Sequence, residues 1–254
     1  MTNPTIELMR RHASVRQYRP EPIPEAMIEE IVTAAQCNST SSNLQMMSVV
    51  AVRDAAVRAQ ISEWCGNQAH VAQAPVLLVW CADLHRLDRA CELRGYKQVT
   101  DYLENFLVAA TDATIAAQSA ALAAESFGLG ICYIGSIRNK AQEIIRVLKL
   151  PRLVFPVTGM TVGWAAKPAI VRPRLALSAV LHWDAYNLDQ DAALFDYDQA
   201  MIRTGIYEGR QVPVPGKPDA IEDYGWMEHS SRRVSQPARM DLRQIAEQQG
   251  YGLE

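Results

Sequence analysis

The chain has 254 residues, 49% hydrophobic and 21% charged, with a formal net charge of −3. That is enough for a large buried core in one domain, or one domain with an appendage, and the near-balanced charge excludes a general nucleic-acid or anionic-membrane binder. The first 30 residues lack the apolar stretch of a secretory signal, and the five cysteines (Cys37, Cys65, Cys81, Cys91 and Cys132) form no CxxC pair, so a reduced, cytoplasmic setting is expected.

Taken in order, helical and extended patterns alternate. Residues 5–11 predict a short helix leading into Arg11-His12-Ala13-Ser14-Val15-Arg16-Gln17-Tyr18. Pro20, Pro22 and Pro24 hold the next link extended, and Pro24 suits a first helical position. Residues 26–36 predict an amphipathic helix with Met27, Ile28, Ile31 and Val32 near one face. Residues 38–45 are too polar and too poor in helix formers for a core element. A strand is expected over 47–52, a helix over 55–64, and a turn at Gly66-Asn67-Gln68. Residues 75–82 are continuously apolar, which predicts a strand buried on both faces, and a helix follows over about 84–95.

The longest element is expected within 101–129. Its middle, 106–124, reads FLVAATDATIAAQSAALAA, with no Gly or Pro, so a helix is the low-cost conformation. Apolar residues cover almost every direction around it, which predicts burial on all sides, in part by a second subunit. The run approaches a membrane span in length, but Asp112, Gln118 and several Thr and Ser lie inside it, so no membrane insertion is expected. Gly128 and Gly130 end the helix, and a short β-type run at 131–134 opens into a Gly/Ser turn. Residues 139–150 predict a helix, 154–164 a strand, and 168–175 an extended segment carrying Arg172-Pro173-Arg174. These elements predict an α/β or α+β sheet domain over 1–185. From 186 to 254 the apolar runs shorten. Val212-Pro213-Val214-Pro215-Gly216-Lys217-Pro218 is not expected to continue any element, and a last helix is expected at 240–249. This tail reads as an excursion wrapping the core or a partner.

The usual signatures of catalysis are missing. The glycines at 128, 130 and 135 have the wrong spacing for a dinucleotide fingerprint and follow a helix instead of opening one. There is no Walker A sequence, GxSxG or HExxH, and His12, His70, His85, His182 and His229 show no metal-ligand spacing, so no metal is expected. What remains is a set of polar turns rich in anion-binding groups. Arg11, His12, Ser14 and Arg16 fall within six residues. In an extended segment Arg172 and Arg174 project to one side, where their planar forks suit a phosphate. Any one of these arginines alone reads better as a solvated surface charge, and 38–45 equally well as an ordinary loop.

Taken together, R-H-A-S-V-R near the start, S-S-N-L-Q, G-N-Q-A-H-V-A-Q-A-P, G-L-G-I-C-Y-I-G-S-I-R-N and R-P-R resemble the nitroreductase superfamily, specifically its oxygen-insensitive NADPH nitroreductase and NADPH–flavin oxidoreductase branch. The resemblance covers nearly the whole chain. It implies an α+β fold, with a mixed sheet flanked by helices and a long central helix at a homodimer interface. It also implies bound FMN, and hydride transfer from NADPH to nitroaromatics, quinones or free flavin. By the same resemblance His12, Ser14, Arg16, Arg172 and Arg174 surround the FMN phosphate. Ser39, Thr40, Ser41 and Asn43 touch the ribityl chain and ring, and Gln68 meets the ring's polar edge. Tyr133, Ile134, Gly135 and Ser136 lie along the isoalloxazine. Similar proteins often have Arg and Gly where this chain has Ala13 and Ser136, and can have Arg where it has Gln236. Residues 201–210 resemble a loop that carries NADPH-binding arginines, here Arg203 and Arg210, with Lys217 further along. No side chain is expected as nucleophile or catalytic acid, because the cofactor carries the hydride. Two other readings stand beside this one: a non-catalytic flavin-binding regulator on the same fold, and a structural homo-oligomerisation module built on the long helix.

Overall fold

Local capping explains where the first elements begin. In the computed structural model, which describes residues 2–254 apart from the side chain of Pro218, the Asn3 side chain accepts from the Ile6 backbone N–H and opens α1 (Pro4–Arg10). Pro24 stands just outside α2 (Glu25–Gln36) as its extended cap. β1 (Met47–Val52) is followed by α3 (Ala55–Trp64), whose cap Asp54 accepts from Val57 N–H. Then come α4 (Ala69–Gln73), β2 (Val76–Asp83) and α5 (His85–Arg94), which ends at Gly95 with φ 77°. α6 (Leu103–Ser126) is the long helix. β3 (Gly130–Ile134), a 3₁₀ turn (Gly135–Lys140), α7 (Ala141–Val147) and β4 (Val154–Gly163) complete this run.

The strands form one sheet in the order β1-β2-β4-β3. The resemblance implies a mixed sheet; each of these three described pairings is antiparallel. β2 is buried along its whole length because both of its faces are covered. Val76, Leu78 and Trp80 pack with Ile28 and Ile31 of α2 and the alanines of α6. Leu77, Val79 and Cys81 pack on the other side with Ile61 of α3, Val71 of α4 and Ile144 of α7. Period-two alternation thus assigns successive residues of one apolar run to two layers.

In α6 the expected burial on all sides is met, within this chain, on one face only. Ala109, Ala113, Ala116, Ala117, Ala120, Ala121 and Ala124 are buried, whereas Leu103, Leu107 and Ile115 are exposed. Small side chains on the inner face allow the helix axis to lie close to the sheet. By length and hydropathy alone this helix could cross a membrane, but its alanine face is packed on a sheet within the core.

The chain divides into two compact units, one reaching to Ile170 and resuming at Arg239–Glu254, the other Val171–Ala238. The boundary expected at 185 lies inside the second. In the first, the C-terminal α10 (Leu242–Gln248) leads to Tyr251, which is buried and donates to the carbonyls of Ala82 (2.9 Å) and Leu153 (2.8 Å). Its ring meets Phe106 and Phe155 edge to face.

The second unit contains α8 (Asp191–Ile202), β5 (Gln211–Val214), β6 (Lys217–Asp223) and α9 (Trp226–Val234). Here a sequence expectation is corrected: the Pro-rich run 212–218 forms an antiparallel hairpin of β5 and β6 turning at Gly216, φ 76°. A two-stranded ribbon leaves each strand one free edge, so Pro213 fits without costing a ladder bond. Asp198 of α8 accepts from Met227 N–H at 2.7 Å and so caps α9 from another element. Gly225 makes room for it, since a Cβ there would lie 2.3 Å from the Asp198 carboxylate.

Candidate functional site

Three polar side chains of the Ala-rich α6 reach groups on other elements of the core unit. Glu125 Oε1 meets His12 Nδ1 at 2.5 Å. Gln118 Oε1 accepts from Tyr133 OH at 3.3 Å. Asp112 accepts from the backbone N–H of Ser41 and of Met46, each at 3.1 Å. Gln118 and Glu125 are seven residues apart and fall within about 20° of one another around the axis, whereas Asp112 is about 120° away. His12 and Tyr133 thus meet one face of the helix and Ser41 another.

The first group begins with residues 12–16. This segment is extended along the sheet's end: Val15 N–H donates to Ile131 O at 2.8 Å, and Tyr18 OH donates to Val15 O at 2.8 Å. Val15 lies directly on Gly130, where a Cβ would come within 2.4 Å of it. Burying Val15 turns its neighbours Ser14 and Arg16 outward, and both are exposed. His70 of α4 is buried, and burial together with the positive charge of Arg16 holds its imidazole below the ordinary range, hence neutral.

Gln68 caps α4 and is the most tightly held of the predicted residues. Its Nε2 donates to Cys65 O at 2.8 Å and to Ser136 Oγ at 2.6 Å. A carbonyl can only accept, so the amide's orientation is set, both its N–H groups are used, and Oε1 is the atom left to present. Ser62 Oγ donates to the Gln68 carbonyl at 2.9 Å. Burial pushes the Cys65 thiol up, with the Ser136 hydroxyl partly offsetting it. Tyr133 and Ile134 end β3, Ile134 in the core, and Gly135 and Ser136 open the 3₁₀ turn. Burial, reinforced by Glu125, holds the Tyr133 phenol well above its ordinary range, so it stays protonated as a donor.

The second group is the loop held by Asp112. Ser39, Thr40 and Ser41 line a cavity of about 430 Å³ together with Leu107, Thr111 and Asp112. Asn43 follows in left-handed conformation (φ 56°), as do Ser42 (49°) and Gln45 (52°). Asn accepts this region more readily than most side chains. His70 Nε2 in the first group and Asn38 Oδ1 beside the second are buried without hydrogen-bond partners, a deficit that a polar ligand would make good.

The other predicted residues belong to the second unit. Arg172 and Arg174 are exposed on either side of Pro173, whose carbonyl accepts from Tyr197 OH at 3.3 Å. Arg203 follows α8 as its C-cap. Arg210 lies with its guanidinium 5.7 Å from the Tyr224 ring centroid, and its carbonyl accepts from Tyr224 N–H at 3.0 Å. Gly205 and Gly209 carry the left-handed turns between them. Gln236 lines a small cavity of about 260 Å³ with His229, Arg232 and Arg233.

Sequence reasoning did not assign the residues that hold these groups in place: Asp112, Gln118, Glu125, Ser62 and Tyr224. The seven-residue spacing of Gln118 and Glu125 was the available signal, one polar stripe on an alanine helix.

Comparison with known proteins bears on the whole chain. The model of the Nitroreductase family matches residues 9–164, and that of the Nitroreductase family, C-terminal domain, matches residues 172–254. An FMN reductase (NAD(P)H) of Bacillus subtilis is 35% identical over 257 residues, covering 99% of both chains. An oxygen-insensitive NADPH nitroreductase of Salmonella typhimurium is 33% identical over 249 residues, 98% of both chains. The solved structure of Bacillus megaterium NfrA2 superposes with a TM-score of 0.92 at 35% identity, covering 100% of both chains. Matched by these two models over residues 9–164 and 172–254, the chain is a member of the nitroreductase family.

Proposed function

We propose that this protein is an FMN-dependent oxidoreductase that takes a hydride from NADPH and passes it to nitroaromatics, quinones or free flavin. The observation that carries the proposal is the first polar group. Ser14 and Arg16 are turned outward by Val15, the charge of Arg16 acts on His70 of α4, and the Gln68 that precedes α4 has its orientation set by Cys65 and Ser136. FMN, once bound, supplies the two-electron hydride chemistry, and the protein supplies binding, orientation and water control.

In this proposal His12, Ser14 and Arg16, with Arg172 and Arg174, hold the phosphate through charge-assisted hydrogen bonds. Ser39, Thr40, Ser41 and Asn43 serve the ribityl chain and ring. Gln68 offers Oε1 to an N–H on the ring's polar edge, and backbone N–H groups at Tyr133, Ile134, Gly135 and Ser136 serve the isoalloxazine. Arg203 and Arg210 read the 2′-phosphate of NADPH. The working form is a homodimer, with Leu103, Leu107 and Ile115 of α6 covered by a second copy, which would remove their exposed apolar surface from water. The compartment is the cytoplasm, in keeping with free thiols at Cys37, Cys65, Cys81 and Cys91.

Purification tests the reading directly. The protein should be yellow, absorbing near ~450 nm as bound flavins do, and should oxidise NADPH in steady state with an acceptor present. Failure to retain FMN after reconstitution would overturn it. Retention of FMN without NADPH oxidation would favour a flavin-binding regulator.

A further inference from the structure

The contact between His12 and Glu125 ties the end of α1 to the last turn of α6, two residues 113 positions apart. Nδ1 and Oε1 are 2.5 Å apart, and the side chains of His12 and Glu125 retain only 27% and 11% of their exposure. An ionised carboxylate offers lone pairs and no proton, so such a contact selects the tautomer with its hydrogen on Nδ1. The bond fixes both the ring plane and the tautomer, leaving Nε2 as the one ring nitrogen free for an outside partner. Glu125 is not otherwise engaged by a cation: no other ion pair of its carboxylate occurs among the described residues.

We propose that Glu125 is a positioning residue for phosphate recognition: it holds His12 as the Nδ1–H form so that Nε2 shares a proton with a phosphate ester oxygen of the bound flavin nucleotide. This rests on the assignment of the first polar group to the FMN phosphate. A phosphate oxygen can donate to Nε2 when protonated or accept from it when the ring is doubly protonated, and the Glu125 clamp suits both states. A carboxylate behind a histidine stiffens its aim without touching the ligand, as in carboxylate–histidine pairs behind metals. The alternative, that Glu125 merely staples α1 to α6, makes no demand on the proton's position and none on phosphate over uncharged flavin.

The experiment uses the full-length protein freed of flavin, and compares FMN with riboflavin, which lacks the phosphate. In the native protein, ¹⁵N-resolved spectra of the neutral His12 ring should show the proton on Nδ1; a proton on Nε2 overturns the proposal without recourse to any variant. Glu125→Ala should shift the ring away from the Nδ1–H form and weaken FMN about tenfold, the equivalent of one charge-assisted hydrogen bond, with riboflavin affinity unchanged. His12→Ala is the control. If His12→Ala costs FMN its advantage over riboflavin and a folded Glu125→Ala leaves both the ring tautomer and that advantage intact, the proposal fails while the FMN assignment stands. If His12→Ala leaves that advantage intact, the phosphate is not read at His12, and both the assignment of His12 and the role of Glu125 fall. If equal losses occur with FMN and riboflavin in Glu125→Ala, its role is the staple alone.

Discussion

Asp112→Ala isolates one buried electrostatic commitment of the core unit. Its carboxylate is 1% exposed and holds two backbone N–H groups at 3.1 Å, that of Met46 in the interior and that of Ser41 in an exposed turn. Removing it orphans both. The Met46 N–H has no route to water and forfeits about 1–3 kcal/mol, while Ser41 can rehydrate and loses about 1 kcal/mol. The sum, about 2–4 kcal/mol, corresponds to a melting point lower by about 5–15 °C in a chain of this size. Urea unfolding at fixed protein concentration measures the loss, and hydrogen exchange at the Ser41 and Met46 amides locates it. Asp112→Asn should recover less than half, because one amide oxygen can accept only where the paired NH₂ faces a second donor. A loss below about 0.5 kcal/mol with unchanged exchange at both amides would refute the reasoning.

Arg16→Ala should weaken FMN retention by at least about tenfold, since a charge-assisted bond contributes roughly 1.5–3 kcal/mol; unchanged flavin occupancy in both Arg16→Ala and Arg174→Ala refutes the phosphate assignment. Ser136→Gly removes the hydroxyl that takes one Gln68 N–H and should shift the reduction potential of bound FMN, with retention changed less than about threefold; an unmoved potential shows that Gln68 is held by Cys65 alone. Ile115→Glu places a charge on the exposed face of α6, and sedimentation should find monomer where the native protein is a dimer; a native monomer, or an undisturbed dimer in the variant, refutes that interface. The double variant Arg203→Ala with Arg210→Ala should raise KM for NADPH about tenfold or more and for NADH little; equal loss with both nucleotides shows that these arginines do not read the 2′-phosphate.

By itself the sequence determined which stretches are helix and which are strand wherever the cause is local. Asp54 caps α3, Gly95 stops α5, and the apolar run in β2 is buried on both sides. The polar turns proposed to bind phosphate stood out in the sequence, because Arg, Ser and His crowd into them. The hairpin at 212–218 was missed, since its tolerance of proline depends on having free edges, a property of the sheet and not of the run. Tertiary structure alone decided the partners: Asp112 with Ser41, Gln68 with Ser136 and Glu125 with His12 are 71, 68 and 113 residues apart. Periodicity and capping act over one or two turns of chain, whereas these bonds are chosen by how distant elements pack on one another. Until that packing exists, an isolated carboxylate in an alanine helix has no way to declare which distant N–H it will hold.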